Sequence, residues 1–149
     1  MRPITLASEA DKGYTFKGAT LLNDGLKGDG NYRSGRYMGF YSNNVDATID
    51  LQSEQEISEA FIDTYLVPGD YIFGLTGMEV YVSNDGKSFS KVASRQIPVL
   101  EKGSKNNVPC HNTLAFDKTK ARYVRIVGNV RLPFRHGIPE PAKGFPLCR

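Results

Sequence analysis

The chain has 149 residues, of which 40% are hydrophobic and 23% are charged, and its formal net charge is +3. This length and composition are typical of one globular domain with its own core, and the charge is too small to indicate a nucleic acid partner. No apolar run is long enough to span a bilayer, and the N-terminus lacks the apolar segment of a signal peptide. We therefore expect either a cytoplasmic protein or a piece of a longer exported one.

Period-two alternation of apolar residues predicts the first long strand. In "DATIDLQ" the apolar residues Ala47, Ile49 and Leu51 alternate with polar ones, which is typical of a half-buried strand. The next segment, "SEQEISEAFIDTYL", is ambiguous because Ser53 and Glu56 resemble a helix capping box. We interpret it as a strand, since only a short polar link precedes it and a Val-Pro-Gly turn signal follows it.

Two further β-rich runs follow. "GMEVYVSNDGKSF" predicts a hairpin, because its Asp-Gly turn at Asp85 separates two strand-like runs. "ARYVRIVGNV" carries apolar residues on both faces, as in a strand inside a sandwich. With no convincing long helix, the chain predicts an all-β fold, an antiparallel sandwich or barrel. Five aromatic residues are expected in its core: Phe40, Tyr81, Phe89, Phe116 and Tyr123.

The glycine-rich stretch "NDGLKGDGNYRSGRYMGF" is the first of two long irregular segments, residues 23–44 and 128–149. An EF-hand loop starting at Asp29 would place Arg33 and Phe40 at ligand positions, so that interpretation fails. A phosphate loop also fails, because the strand-to-helix context is missing. Simple turns at Asp24-Gly25 and Asp29-Gly30 explain the glycine-rich composition. A calcium site that is not an EF-hand stays open as an alternative, because the aspartates supply hard oxygen ligands.

Catalytic motifs are weak. There is no Gly-x-Ser-x-Gly sequence, and no carboxylate pair stands out. His111 follows Cys110, but neighbours in a strand point to opposite faces and so cannot form a dyad. The two cysteines, Cys110 and Cys148, have no metal-ligand spacing, and we favour two free thiols over a disulfide. We expect no enzyme activity from this chain by itself.

The loops are rich in aromatic, arginine and histidine side chains. Aromatic rings stack on the apolar faces of sugars, and the polar side chains bind hydroxyl groups. The segment "VPGDYIFGLTG" and the basic C-terminal segment carry such residues. The pattern indicates a sugar-binding surface, although each loop aromatic could instead belong to the core.

The order of motifs "LLNDGLKGDGNYRSGRYMGF", "VDATIDL", "MEVYVSNDGKSF" and "ARYVRIVG" resembles the discoidin family, the coagulation factor five/eight type C domains. The resemblance covers residues 18–136 and is closest to modules at the C-terminus of bacterial β-N-acetylhexosaminidases (chitobiases). It implies a jelly-roll β-sandwich over residues 1–149, with ligands bound by loops at one end. It also implies a non-catalytic module of a longer, exported glycoside hydrolase, periplasmic or at the cell surface.

The resemblance further implies a structural calcium ion in the loop that contains Asp24-Gly25, with Asp24, Asp29 and Ser34 as the matching ligand positions. Family members usually end on a strand that carries an acidic residue beside the calcium. The C-terminal sequence "GIPEPAKGFPLCR" shows no such strand, so we expect the closing strand to be missing here. The family's usual tryptophan in "G-R-W-x-G-F" is Tyr37.

We therefore predict a carbohydrate-binding module for glycans of the galactose or N-acetylhexosamine type. The parent catalytic domain is its second expected partner. Two alternatives stay open: a structural module that packs on a catalytic domain, and a domain that binds anionic phospholipid or protein. The predicted sugar contacts are six loop residues: Tyr65, Tyr71, Phe73, Arg131, Arg135 and His136.

Overall fold

The computed structural model describes residues 1–70, 72–98 and 107–130, together with the backbone of residues 147–148. Seven strands form its framework: β1 Ile4–Leu6, β2 Met38–Gly39, β3 Val45–Leu66, β4 Leu75–Ser83, β5 Ser90–Gln96, β6 Val108–Val130 and β7 Leu147–Cys148. Within the described residues, the helical elements are three short 3-10 turns: Lys12–Tyr14, Gly18–Leu22 and Pro68–Asp70. None of these residues forms a helix long and apolar enough to span a membrane.

Two long strands, β3 and β6, connect the layers of an antiparallel β-sandwich. The hydrogen-bonded order is β2-β7-β3-β6-β4-β5, and β1 pairs with β3. The first section of β3, 45–50, pairs with residues 123–128 of β6, which also pair with β4. After a register shift, the second section, 55–66, pairs with 108–121 of β6, and β7 joins its far side. The predicted all-β sandwich is confirmed, and so is the strand assignment of residues 53–66.

The core lies between these two layers. Met78 and Val80 of β4 are fully buried and belong to the same apolar cluster as Ile62 of β3 and Leu114 of β6. Gly128 marks where the layers meet: a Cβ atom placed on it would lie 3.0 Å from Leu75 and 3.2 Å from Ile62. Phe40 has no exposed surface, because it is seated in this cluster. The inward alternation of apolar residues in the predicted strands is therefore what holds the layers together.

The predicted hairpin forms between β4 and β5. Gly86 has φ +71°, which a side chain would strain. The Asp85 carboxylate accepts hydrogen bonds from the Lys87 and Ser88 amides, each at 2.8 Å, and from the Ser83 hydroxyl. These donors lower the pKa of Asp85 to about 2. The turn is thus closed by one carboxylate as well as by the backbone.

One layer contains residues 45–50 of β3, residues 123–128 of β6, and β4. On its outer face, arginines that form ion pairs also lie over tyrosine rings. Arg122 bonds Asp50 through two nitrogens, both at 2.9 Å, and lies 4.9 Å from the Tyr123 ring. The Arg125 guanidinium lies 5.5 Å from the Tyr81 ring. Tyr81 and Tyr123 are therefore half-buried beneath cations on an outer face, and their assignment to the core was wrong. Phe89 is only partly buried, whereas Phe116 is partly buried and packs against the core cluster.

The closing strand expected to be missing is present. β7 pairs with β2 on one side and with residues Thr64 and Tyr65 of β3 on the other. Its sequence is Leu-Cys, so it lacks the acidic residue of the family pattern. Thr64 lies between Cys110 and Cys148 in the sheet, which separates the two Cα atoms by about 10 Å. That exceeds the reach of a disulfide, and Cys110 is a free thiol.

Candidate functional site: an aromatic loop end

Two loops are joined beyond the C-terminal end of β3. The Tyr32 hydroxyl, from the long first loop, donates a 2.7 Å hydrogen bond to Oδ2 of Asp70 in the Pro68–Asp70 turn. This bond to a carboxylate raises the pKa of Tyr32. The Arg33 guanidinium lies 5.1 Å from the centre of the Tyr32 ring. The two loops are therefore tied together by a polar bond, with a cation over the aromatic ring.

A buried pair of tyrosines forms the floor under these loops. Tyr37 and Tyr65 are 3% and 6% exposed, and their rings stack with centroids 5.4 Å apart at an angle of 30°. They pack with Val67 and Ile72, and Tyr32 lies against this group. The pair anchors the first loop on the outer face of β3, so that the residues above it are held in place.

Two glycines let the first loop approach this floor. The Gly30 amide donates a 3.3 Å hydrogen bond to the Tyr37 hydroxyl. At Gly28, a Cβ atom would lie 1.9 Å from that same oxygen, a distance that no side chain can occupy without moving the ring. The glycines of this stretch therefore allow the loop backbone to pack closely on the Tyr37 ring, in addition to forming turns.

Phe16 forms an exposed rim to the same surface. Its ring is 48% exposed and lies against Gly35, where a Cβ atom would be 3.3 Å from the ring. Tyr14 meets it edge-on at 6.2 Å and also packs against the tyrosine floor. The backbone of Phe16 has φ +38°, which is unfavourable for a residue other than glycine. Strained backbone conformations of this kind occur often at functional sites. Sequence reasoning missed Phe16; the signal was an aromatic in the polar, glycine-flanked run "KGYTFKG".

The predicted calcium ligands divide into two groups. Ser34 donates a 2.9 Å hydrogen bond to Oδ1 of Asp29, which also accepts the Asn31 amide at 3.1 Å, and Arg36 lies 3.7 Å from its other oxygen. The Asp24 carboxylate accepts the Leu26 amide at 2.9 Å. Both aspartates therefore form side-chain-closed turns, with Gly25 and Gly30 at positive φ, as the turn interpretation predicts.

One observation at this loop favours a cation. Oδ1 of Asn23 is buried and has no hydrogen-bond partner among the described residues, while its amide nitrogen donates to the Arg2 carbonyl at 2.6 Å. A buried carbonyl oxygen next in sequence to the Asp24 carboxylate is a hard ligand of the kind that calcium prefers. The residues around Asn23 thus fit calcium better than Asp29 does, because Asp29 already binds two donors and faces a cation.

The structure places the six predicted sugar contacts as follows. Tyr65 is buried in the tyrosine floor, so its ring is not open for stacking. Phe73 is partly buried in the same loop region. The remaining four lie outside the described residues: Tyr71, Arg131, Arg135 and His136.

Comparison with known proteins gives the family. A model of the F5/8 type C domain family matches residues 4–133. The chain belongs to this family. The discoidin resemblance is therefore confirmed, whereas the link to β-N-acetylhexosaminidases stays a prediction. A comparison with curated proteins gave no match.

Solved structures share the F5/8 type C fold. CpGH89CBM32-5 from Clostridium perfringens, in complex with GalNAc-β-1,3-galactose, is 22% identical, with a TM-score of 0.58 and coverage of 98% of this chain and 89% of that chain. CBM32-3 from a family 31 glycoside hydrolase of the same organism is 20% identical, with a TM-score of 0.58 and coverage of 97% and 86%. Chitosan-binding module 1 from a chitosanase/glucanase of Paenibacillus sp. IK-5 is 18% identical, with a TM-score of 0.54 and coverage of 98% and 89%.

Proposed function

We propose that this F5/8 type C domain is a non-catalytic carbohydrate-binding module whose binding surface is the aromatic loop end. The observation that carries the proposal is that two accessible aromatic side chains lie at this surface. Phe16 is exposed at the rim, and Tyr32 is half-buried and held by Asp70. Rings held in place lose little conformational entropy on binding, which suits a stacking platform for a pyranose.

Polar side chains beside these rings can take sugar hydroxyls. Asp70 is exposed and accepts hydrogen bonds, while Arg33 and Arg36 are exposed donors on the first loop. A sugar hydroxyl can donate to a carboxylate and accept from a guanidinium at the same time. Donors and acceptors flanking an apolar ring are what recognition of a pyranose requires.

The ligands named for two related structures support a glycan. CpGH89CBM32-5 was solved with GalNAc-β-1,3-galactose, and the Paenibacillus module is a chitosan-binding module. We accordingly assign this chain to galactose or N-acetylhexosamine glycans, as the sequence predicts.

The module would serve a longer enzyme. CBM32-3 comes from a family 31 glycoside hydrolase, which supports an exported glycoside hydrolase as the parent of this chain, with a β-N-acetylhexosaminidase as the specific prediction. One shallow site binds weakly, and linkage to the catalytic domain raises the effective concentration of substrate around that domain.

We also propose that calcium binds the first loop through Asn23 and Asp24, which satisfies the buried Asn23 oxygen. The ion would stabilise the loop and supply no chemistry. Asp29 and Ser34 would act as turn-forming residues in this arrangement.

Isothermal titration of the intact chain with galactose, N-acetylgalactosamine and N-acetylglucosamine tests the sugar proposal. We expect weak binding of at least one sugar, and Phe16→Ala should weaken it about tenfold, because loss of a stacked ring removes roughly 1.4 kcal/mol. Phe89→Ala is the matched control, since Phe89 is a partly buried aromatic in the connection between β4 and β5, at the other edge of the strand order.

Two outcomes would overturn the sugar proposal. In one, no sugar binds and the chain instead binds vesicles containing phosphatidylserine in a salt-sensitive way, as expected of a phospholipid-binding discoidin domain. In the other, sugar binds equally well to wild type and Phe16→Ala, which would place the site elsewhere.

A further inference from the structure

A second aromatic cluster lies on the outer face of β3 and β6, in the same layer as Tyr65. Phe61 of β3 is 55% exposed, whereas its neighbour Ile62 points inward and is 7% exposed. The ring centroid of His111, on β6, lies 4.8 Å from that of Phe61 at an interplanar angle of 43°. The two rings therefore form one exposed, angled platform on the outer face of the sandwich.

A carboxylate fixes the imidazole in this platform. Asp63 pairs directly with His111 in the ladder, and its Oδ1 contacts Nδ1 of the imidazole. When Nδ1 donates to a carboxylate, Nε2 is the ring nitrogen left for another partner. The side chain of His111 is 55% exposed and that of Asp63 is 27% exposed, so both are within reach of a ligand on the ring.

The strip runs along the strands from Glu59 to Asp63 and ends where Tyr65 is buried beneath Tyr37. Phe61 lies opposite Thr113, and Glu59 lies opposite the small residue Ala115. From Glu59 to Asp63 the strip is about 13 Å long, which is long enough for a disaccharide. A single exposed phenylalanine is common on protein surfaces, but a ring braced by an imidazole between two carboxylates is an arrangement suited to ligand binding.

We propose that this strip, defined by Phe61, Asp63 and His111, is a second carbohydrate-binding site, separate from the loop end. One sugar ring stacks on Phe61, and its hydroxyls bond the Asp63 carboxylate and Nε2 of His111. The carboxylates of Glu59 and Asp63 beside the ring favour a neutral ligand over an anionic one. With two sites, the chain bridges two parts of one glycan or two neighbouring chains.

The two sites are distinguishable by amide chemical shifts of the intact chain during titration with lactose and with the β-1,4-linked disaccharide of N-acetylglucosamine. We expect the amides of Phe61, Asp63 and Thr113 to shift as one group and those of the Phe16 and Tyr32 loops as another. Phe61→Ala should weaken binding at the first group about tenfold and leave the second unchanged. Phe16→Ala should do the reverse.

Because Phe61 is exposed, its replacement should not unfold the protein, and a second variant, His111→Gln, keeps a polar side chain while removing the ring. It should also weaken binding at the strip. The proposal is overturned if the strip amides do not move with either disaccharide, or if they follow the same binding curve in Phe61→Ala as in the wild type. A response at the strip without one at the loops would support this site and contradict the loop-end proposal.

Discussion

Arg125 of β6 binds Asp46 of β3 through two parallel hydrogen bonds, Nε to Oδ1 at 2.8 Å and Nη2 to Oδ2 at 2.6 Å. The two side chains are 37% and 17% exposed, so the pair is only partly screened by water. Paired hydrogen bonds of this kind fix geometry as well as charge. The contact joins the two strands that run through both layers.

Replacing Arg125 should therefore destabilise the sandwich. Arg125→Ala is expected to lower the free energy of unfolding by about 1 kcal/mol, and Arg125→Lys by nearly as much, because lysine keeps the charge but cannot make the two-pronged bond. Urea unfolding measures both. Lys118→Ala is the matched control, since its ion pair with Glu56 is exposed at 75% and 52%, and it should change little. Equal stability of wild type and Arg125→Lys would contradict this account.

Gly28→Ala should loosen the loop end. The new Cβ atom would lie 1.9 Å from the Tyr37 hydroxyl, which forces the ring away from Tyr65 at a cost of about 1–3 kcal/mol. Thermal unfolding and the near-ultraviolet circular dichroism of the tyrosines report this change. Gly69→Ala, where the Cβ atom would meet nothing within 4 Å, should behave as wild type. An unchanged tyrosine signal in Gly28→Ala would show that the loop is softer than its contacts imply.

The hairpin turn should make stability depend on acid pH. The pKa of Asp85 is about 2 in the folded protein, below its ordinary value of 3.8. A lowered folded pKa contributes stability that is complete above pH 3.8 and is lost as the pH falls toward 2. Asp85→Ala should therefore reduce the slope of unfolding free energy against pH in that window. Asp117→Ala, an exposed carboxylate on β6, should keep the wild-type slope; an equal loss of slope in both variants would contradict the assignment.

Calcium should raise the melting temperature through Asn23 and Asp24. A ligand that binds only the folded state stabilises it in proportion to its saturation, so millimolar calcium should shift the thermal transition upward, and chelation should reverse the shift. Asp24→Ala and Asn23→Ala should abolish the shift. Asp29→Asn should retain it, because Asp29 is satisfied within its own turn. If only Asp29→Asn abolishes the shift, the ion sits at the other turn.

The strands could be predicted because their signals are local. Alternation in residues 47–51 and the Asp-Gly turn at Asp85 need no knowledge of distant contacts, and the structure confirms both. The segment 53–66 was also recoverable, because the short polar link before it and the Val-Pro-Gly turn signal after it outweighed the capping pattern at Ser53. The Asp-Gly turns expected in the glycine-rich loop form in the structure, whereas the calcium site there stays a prediction.

The fate of individual aromatic residues could not be predicted in the same way. Tyr65 is buried because Tyr37, from a loop distant in sequence, covers it, and no periodicity encodes that contact. Tyr81 was expected in the core as an aromatic residue of a strand, but it lies under a cation that comes from β6. β7 was missed because two residues in a proline- and glycine-rich tail carry no alternation; its partners in β2 and β3 define it.

Neither layer of this sandwich is a unit by itself, because β3 and β6 supply backbone to both. Local unfolding that separates residues 45–50 from residues 123–128 also destabilises the remainder of β3 and β6, which supports the loop end. The chain should consequently exchange its strand amides with solvent through one cooperative opening rather than layer by layer. Rigidity at the loop end therefore depends on hydrogen bonds in the other layer of the sandwich.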